Sequence, residues 1–173
     1  MVNVLLANER GEPTGQTCEI VKAHTGEGQR HLAFSVYVFR NLRREILIQR
    51  RSDKKMLWPT ILANTCCSHP RDQETAKQAG QRRLQEELGF TCELQEGPSF
   101  EYRAEDPNGN GVEHEYVTTL LGDVDDVIVI PNPDEVSEYK WVDVDQLIED
   151  MNAHPDAYAP WFHIGLQKII ENK

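Results

Sequence analysis

Residues 64–69 read Asn-Thr-Cys-Cys-Ser-His, which places a thiol, Cys67, two positions before an imidazole, His69. In an extended chain side chains alternate between faces, so Cys67 and His69 point the same way and Cys66 points the other. The geometry repeats at Glu113-His114-Glu115, where two carboxylates share one face of a segment continuing Tyr-Val-Thr-Thr-Leu-Leu. Two further imidazoles, His24 and His31, stand upstream. A thiol, several imidazoles and paired carboxylates are the ingredients of a metal site beside an acid/base pair. Each also has an ordinary reading alone: a cysteine in a strand is commonly a small buried hydrophobe, and a single histidine a hydrogen-bonded surface residue. The seven-residue spacing of His24 and His31, ending where an apolar run begins, is what joins them to the rest.

The elements that must hold these groups follow from the patterning. Residues 31–39, His-Leu-Ala-Phe-Ser-Val-Tyr-Val-Phe, carry enough β-branched and aromatic side chains for a buried strand, and Glu45-Ile-Leu-Ile-Gln follows the polar turn Arg40-Asn-Leu-Arg-Arg as its hairpin partner. A loop holding Arg50, Arg51, Lys54 and Lys55 then leads through Leu57-Trp58-Pro59 to a strand over 61–67. From 73 to 88 helix formers dominate without proline, Arg82/Glu86 and Arg83/Glu87 stand at i,i+4, and Gly89 is placed as a C-terminal cap. Strands are expected near 98–104, 115–121, 126–130 and 138–142, broken by the turn chemistry of Asp106-Pro-Asn-Gly and Pro131-Asn-Pro-Asp. A short helix starts near Asp145, and Pro160 opens a last one whose apolar stripe is Phe162, Leu166, Ile169 and Ile170. This order predicts an α+β fold, a layered α/β/α arrangement of a mixed sheet flanked by helices, with residues 1–173 as one domain.

A chain of 173 residues can bury one core without disulfide staples. Its cysteines, Cys18, Cys66, Cys67 and Cys92, show no CxxC spacing and are read as reduced thiols of a cytoplasmic protein. A formal net charge of −11 argues against a nucleic acid or an anionic membrane as the main partner. The opening residues meet charge too soon for a signal peptide, and no window approaches the length of a membrane span.

The pattern Ser68-x5-Glu74-x7-Arg82-Arg83-Leu84-x-Glu86-Glu87-x-Gly89-Phe90 resembles the Nudix box, a loop–helix–loop that binds metal and diphosphate. Seven of its nine specified positions fit; Ser68 replaces the leading glycine and Arg83 the glutamate that follows arginine. The second exchange puts a guanidinium, suited to gripping phosphate through two parallel N–H groups, where the box has a carboxylate. More of the chain, from Ala23 to Trp161, resembles the type I isopentenyl diphosphate isomerases. The matching pieces are Ala23-His24, His31-Leu-Ala-Phe-Ser, Trp58-Pro59, Asn64-Thr-Cys-Cys-Ser-His-Pro70, Gln81-Arg-Arg-Leu, Glu86-Glu-Leu-Gly89, Tyr102-Arg103, Glu113-x-Glu115 and Pro160-Trp161.

That resemblance implies a Nudix-like fold that converts isopentenyl diphosphate to dimethylallyl diphosphate in isoprenoid biosynthesis, with this small molecule as the partner. It implies one divalent metal, Mn²⁺, Zn²⁺ or Fe²⁺, on His24, His31, His69, Glu113 and Glu115. It also implies a Mg²⁺ bridging Glu87 to the diphosphate, neutralised further by Arg51, Lys55 and Arg83. Cys67 takes one proton-transfer role and Glu115, hydrogen-bonded to Tyr102, the other, with Trp161 over the cationic carbon. Where many relatives carry a basic residue four positions before the first histidine, this chain has Ile20; Lys22, on the same face if the segment is a strand, is left to serve. The rival readings are a Nudix hydrolase of a nucleoside diphosphate derivative, resting on the box alone, and a module that binds prenyl diphosphate or metal without turnover.

Overall fold

The computed structural model describes residues 2–172. In chain order they form β1 (Asn3–Ala7), β2 (Pro13–Glu19), α1 (Ile20–Ala23), β3 (His31–Arg40), β4 (Glu45–Arg51), β5 (Leu62–Ala63), β6 (Cys66–Ser68), α2 (Ala76–Leu88), β7 (Leu94–Glu105), β8 (Val112–Asp123), β9 (Val136–Asp143), α3 (Val144–Ala153) and α4 (Pro160–Glu171). Strand β3 is the axis. One of its edges is taken along its length by β8 in parallel register, from His31 opposite Glu115 to Phe39 opposite Asp123. Three strands share the other edge: β1 at His31, β6 at 34–36 and β4 at 39–40, all antiparallel. β7 pairs β8, and β9 pairs β4.

Period-two alternation along β3 splits the core between the two faces. Ala33, Tyr37 and Phe39 pack with Phe162, Leu166 and Leu147 of α4 and α3, whereas Phe34, Val36 and Val38 pack with Ala79, Leu84 and Leu88 of α2. The layered α/β/α arrangement follows directly, since each apolar face of the sheet needs a helical cover.

Helix α2 begins three residues later than its composition predicts, because Thr75 caps it: the hydroxyl accepts from Gln78 N while the Gln78 side chain accepts from Thr75 N. Its end is the predicted Gly89, at φ +74, where a Cβ would lie 2.9 Å from the Ile130 carbonyl oxygen. The strand expected over 61–67 is two short pieces, since side chains replace the ladder between them. Thr65 Oγ1 donates to Leu47 O and accepts from Val38 N, and the Asn64 amide donates to Val36 O and Cys66 O. Residues 126–130 are not a strand. Ile128 and Ile130 face outward, and Ile130 N bonds to Leu88 O, closing off α2 rather than extending the sheet. The β1–β2 hairpin was not apparent in the patterning because β2 is polar and mostly exposed.

Candidate active site

Strand register assembles the imidazole cluster. His31 opens β3 beside Glu115 of β8, His69 follows β6, and His24 caps α1, whose end is tied to β8 by Val112 N donating to His24 O. One ligand atom from each of His24, His31, His69 and Glu115 falls within 4.8 Å of all the others. His69 Nε2 lies 2.9 Å from Glu115 Oε1 and 3.2 Å from His31 Nε2.

Two of the rings are oriented by carbonyls, which can only accept: Nδ1 of His24 donates to Ile20 O and Nδ1 of His31 to Gln29 O, both at 2.7 Å. Their Nε2 lone pairs are left for the cluster centre, the orientation a metal-binding histidine needs. Burial pushes the His24 ring down to about 4 and lowers His69 as well, so both stay neutral. This donor set of neutral imidazoles and a carboxylate suits a divalent metal.

Glu113 stands just outside that tight group. The buried Tyr102 hydroxyl lies against Glu113 Oε2 and 2.9 Å from Glu115 Oε2. Burial, reinforced by the neighbouring Glu115 charge, raises Glu113. Burial would raise Glu115 too, but its contacts with the His69 and His31 rings outweigh it and lower that carboxyl. The Tyr102 hydroxyl thus links the two carboxylates.

Cys67 faces the same cavity, of about 290 Å³, as Tyr102, Glu113, Glu115 and His69. Burial pushes its thiol up to about 12 against the pull of Arg51, whose Nη1 lies 3.6 Å from the sulfur. Arg51 is itself clamped by donating to Trp58 O and Leu57 O, and its guanidinium stands 5.3 Å over the Trp161 ring. Trp161 Nε1 donates to Asn64 Oδ1 at 3.0 Å, and Trp58 meets the indole at 90°. Cys66 points into the opposite core, as alternation requires.

Arg51, Lys55 and Arg83 supply the cationic lining. Glu87 is fully buried beneath them, with Arg83 Nη2 at 2.5 Å and Lys55 Nζ at 3.9 Å from its Oε1. The expectation for Lys22 fails. Residues 20–23 are a helical turn, not a strand, so Ile20 and Lys22 diverge; Ile20 lines the cavity, while Lys22 is exposed and 3.6 Å from Glu19. Sequence reasoning missed Glu135, which lines the cavity beside Lys55 and Arg83 but sits just past a turn-rich segment. It also gave Asn64 no part in holding Trp161, although a polar residue inside an apolar strand was the available signal.

A NUDIX domain is matched over residues 29–162, and the solved structure of DR0079 from Deinococcus radiodurans superposes with a TM-score of 0.75 over 97% of this chain and 99% of that one, at 22% identity. The MutT protein from Methanosarcina mazei Go1 superposes with a TM-score of 0.64 over 83% of this chain and 96% of that one, at 18% identity. These matches define the class: the architecture is that of a NUDIX domain. Isopentenyl-diphosphate Delta-isomerase of Halorhodospira halophila is 38% identical over 97% of this chain and 95% of its own length. The Aliivibrio fischeri (strain ATCC 700601 / ES114) protein of the same name is 40% identical over 96% of this chain and 94% of its own. The chain belongs to the isopentenyl-diphosphate Delta-isomerase family. Among the described residues no helix is long and apolar enough to cross a membrane.

Proposed function

We propose that this chain isomerises isopentenyl diphosphate to dimethylallyl diphosphate, a step of isoprenoid biosynthesis, with Cys67 and Glu115 as the two proton-transfer groups. The observation that carries the reading is that the Cys67 thiol and the Tyr102-bridged Glu115 carboxylate open on one cavity whose cationic lining is Arg51, Lys55 and Arg83.

The reaction adds a proton to the terminal carbon of an unactivated double bond and removes one from the carbon nearer the diphosphate, through a tertiary cation. A donor and an acceptor must reach the alkene together, and because the reaction reverses, each takes the other's role in the back direction. Burial keeps the proton on Cys67 and the neighbouring imidazoles keep Glu115 ionised, so the thiol delivers a proton to the terminal carbon and the Glu115 carboxylate takes one from the inner carbon, with Arg51 beside the thiolate that results. The Trp161 indole faces the cation, where a desolvated ring contributes about 2 kcal/mol. Its buried surroundings keep out the water that would trap such an intermediate.

His24, His31, His69 and Glu115, with Glu113 adjoining, would hold one ion, Mn²⁺, Zn²⁺ or Fe²⁺, and Glu87 a Mg²⁺ shared with the diphosphate. The first ion would supply positive charge beside the ionised Glu115 carboxylate. Arg83 and Lys55 are the cationic partners of Glu87, so they would be shared between it and the diphosphate. The reducing cytoplasm is the setting that fits this reading, since it needs Cys67 kept as a free thiol.

Incubation with isopentenyl diphosphate in deuterated water tests the reading. Deuterium-labelled dimethylallyl diphosphate is expected, and Cys67→Ala should abolish it while fold and metal content persist. Release of free phosphate, or an unlabelled substrate, would overturn it.

A further inference from the structure

Lys55 and Arg83 already have anionic partners. Lys55 Nζ bonds to Glu135 Oε2. Arg83 donates from Nη1 to Glu86 at 2.8 Å and from Nη2 to Glu87 at 2.5 Å and Glu135 at 2.9 Å, while its Nε is buried without a partner among the described residues. Two cations thus face three carboxylates. Glu87 lies fully buried beneath the cations and Glu86 outside the cavity lining, so of these three Glu135 is the one in the cavity wall with both cations.

The backbone delivers Glu135 to that place. Ile130 N and Asn132 N donate to Leu88 O and Glu87 O at the end of α2, Glu135 N donates to Asn132 O, and Ser52 N donates to Glu135 O. The loop is thereby fastened to the two segments that carry Arg83 and Lys55. Only the side chain of Glu135 has to turn for its carboxylate to leave them.

We infer that Glu135 is a built-in competitor for the diphosphate, its carboxylate holding the N–H groups of Lys55 and Arg83 that the substrate has to take over. The inference rests on the reading of those two cations as the diphosphate clamp. It makes Glu135 a determinant of substrate affinity: an incoming anion binds by the difference between its own hold on the cations and that of the carboxylate it displaces. A diphosphate, with more charge and more acceptor oxygens than one carboxylate, wins that exchange.

Calorimetric titration of the full chain with inorganic pyrophosphate and Mg²⁺ tests it without requiring turnover. Removing one unit of like charge a few ångströms from the bound anion predicts that Glu135→Gln tightens pyrophosphate binding about tenfold. Glu135→Asp, too short to span both cations, should shift it the same way. Asp134→Asn, which removes the same charge next to the exposed Lys54 outside the cavity, should leave binding within about twofold. Weaker or unchanged binding by Glu135→Gln, equal tightening by Asp134→Asn, or no pyrophosphate binding by the parent chain would each overturn the inference. A parent that binds pyrophosphate but isomerises nothing would instead defeat the functional reading and leave this one standing on its own titration.

Discussion

Replacing Asn64 by leucine separates support of the site from its chemistry. The carboxamide is fully buried and fully engaged: Nδ2 donates to Val36 O at 3.0 Å and to Cys66 O at 2.9 Å, and Oδ1 accepts from Trp161 Nε1 at 3.0 Å. Leucine keeps the approximate shape and removes all three bonds. An unsatisfied buried group costs about 1–3 kcal/mol; taking the upper range for the indole N–H and the lower for the two carbonyls gives about 3–5 kcal/mol. In a chain of this size that lowers Tm by roughly 10–15 °C.

Melting followed by circular dichroism measures the loss, and a cycle with Trp161→Phe apportions it. The two residues are in contact, so their effects should couple by about 1–2 kcal/mol. Turnover should fall through kcat more than KM, because the Trp161 ring and the backbone before Cys67 loosen while the cationic lining is untouched. A Tm within about 3 °C of the parent would refute the claim that this carboxamide anchors Trp161 and the backbone before Cys67.

The pH dependence of metal-free protein probes the imidazole cluster. With the buried His24 ring lowered to about 4 from the 6.5 of an ordinary histidine, the unfolded chain takes up a proton that the folded one refuses as pH falls through that window, so stability is lost between about pH 6.5 and 4. Glu113, raised by burial, acts in the opposite sense, so the His24 contribution is isolated as the flatter acid limb of His24→Asn in urea unfolding of chelator-treated protein; an unchanged limb would show that His24 is not buried as a neutral ring. Gly165→Ala should destabilise by about 1–3 kcal/mol or more, because its Cβ would lie 2.0 Å from the Tyr37 hydroxyl, itself buried and without a hydrogen-bond partner among the described residues. Tyr37→Phe alone should be neutral or stabilising and should recover part of the Gly165→Ala loss, so an additive double mutant in calorimetry would contradict the packing argument.

What was legible in the sequence was whatever a local pattern encodes. Alternation put Cys67 and Cys66 on opposite faces, helix formers and Gly89 marked α2, and the motifs singled out Cys67, His69, Tyr102, Glu113, Glu115 and Trp161, which line one cavity. What was not legible depends on partners distant in the chain. Asn64 and Thr65 read as strand because their side chains' replacement of the ladder requires Leu47, Val36 and Trp161 to be in place. Lys22 was misplaced because a four-residue helix carries too few positions for its period to show. The segment at 126–130 is apolar enough for a strand, but its hydrogen bonding belongs to the end of α2.

The parallel pairing of β3 with β8 is the furthest from local reach and the most consequential. A one-residue slip would turn Glu113 and Glu115 away from the cavity and bring His114 in, since strand side chains alternate. Buried on both faces, β3 and β8 cannot slip without carrying Phe34, Val36 and Leu120 into the wrong core layer. The apolar residues that cover α2 therefore set the register that holds His31 opposite Glu115, and the metal-binding geometry is inherited from packing on the other side of the sheet.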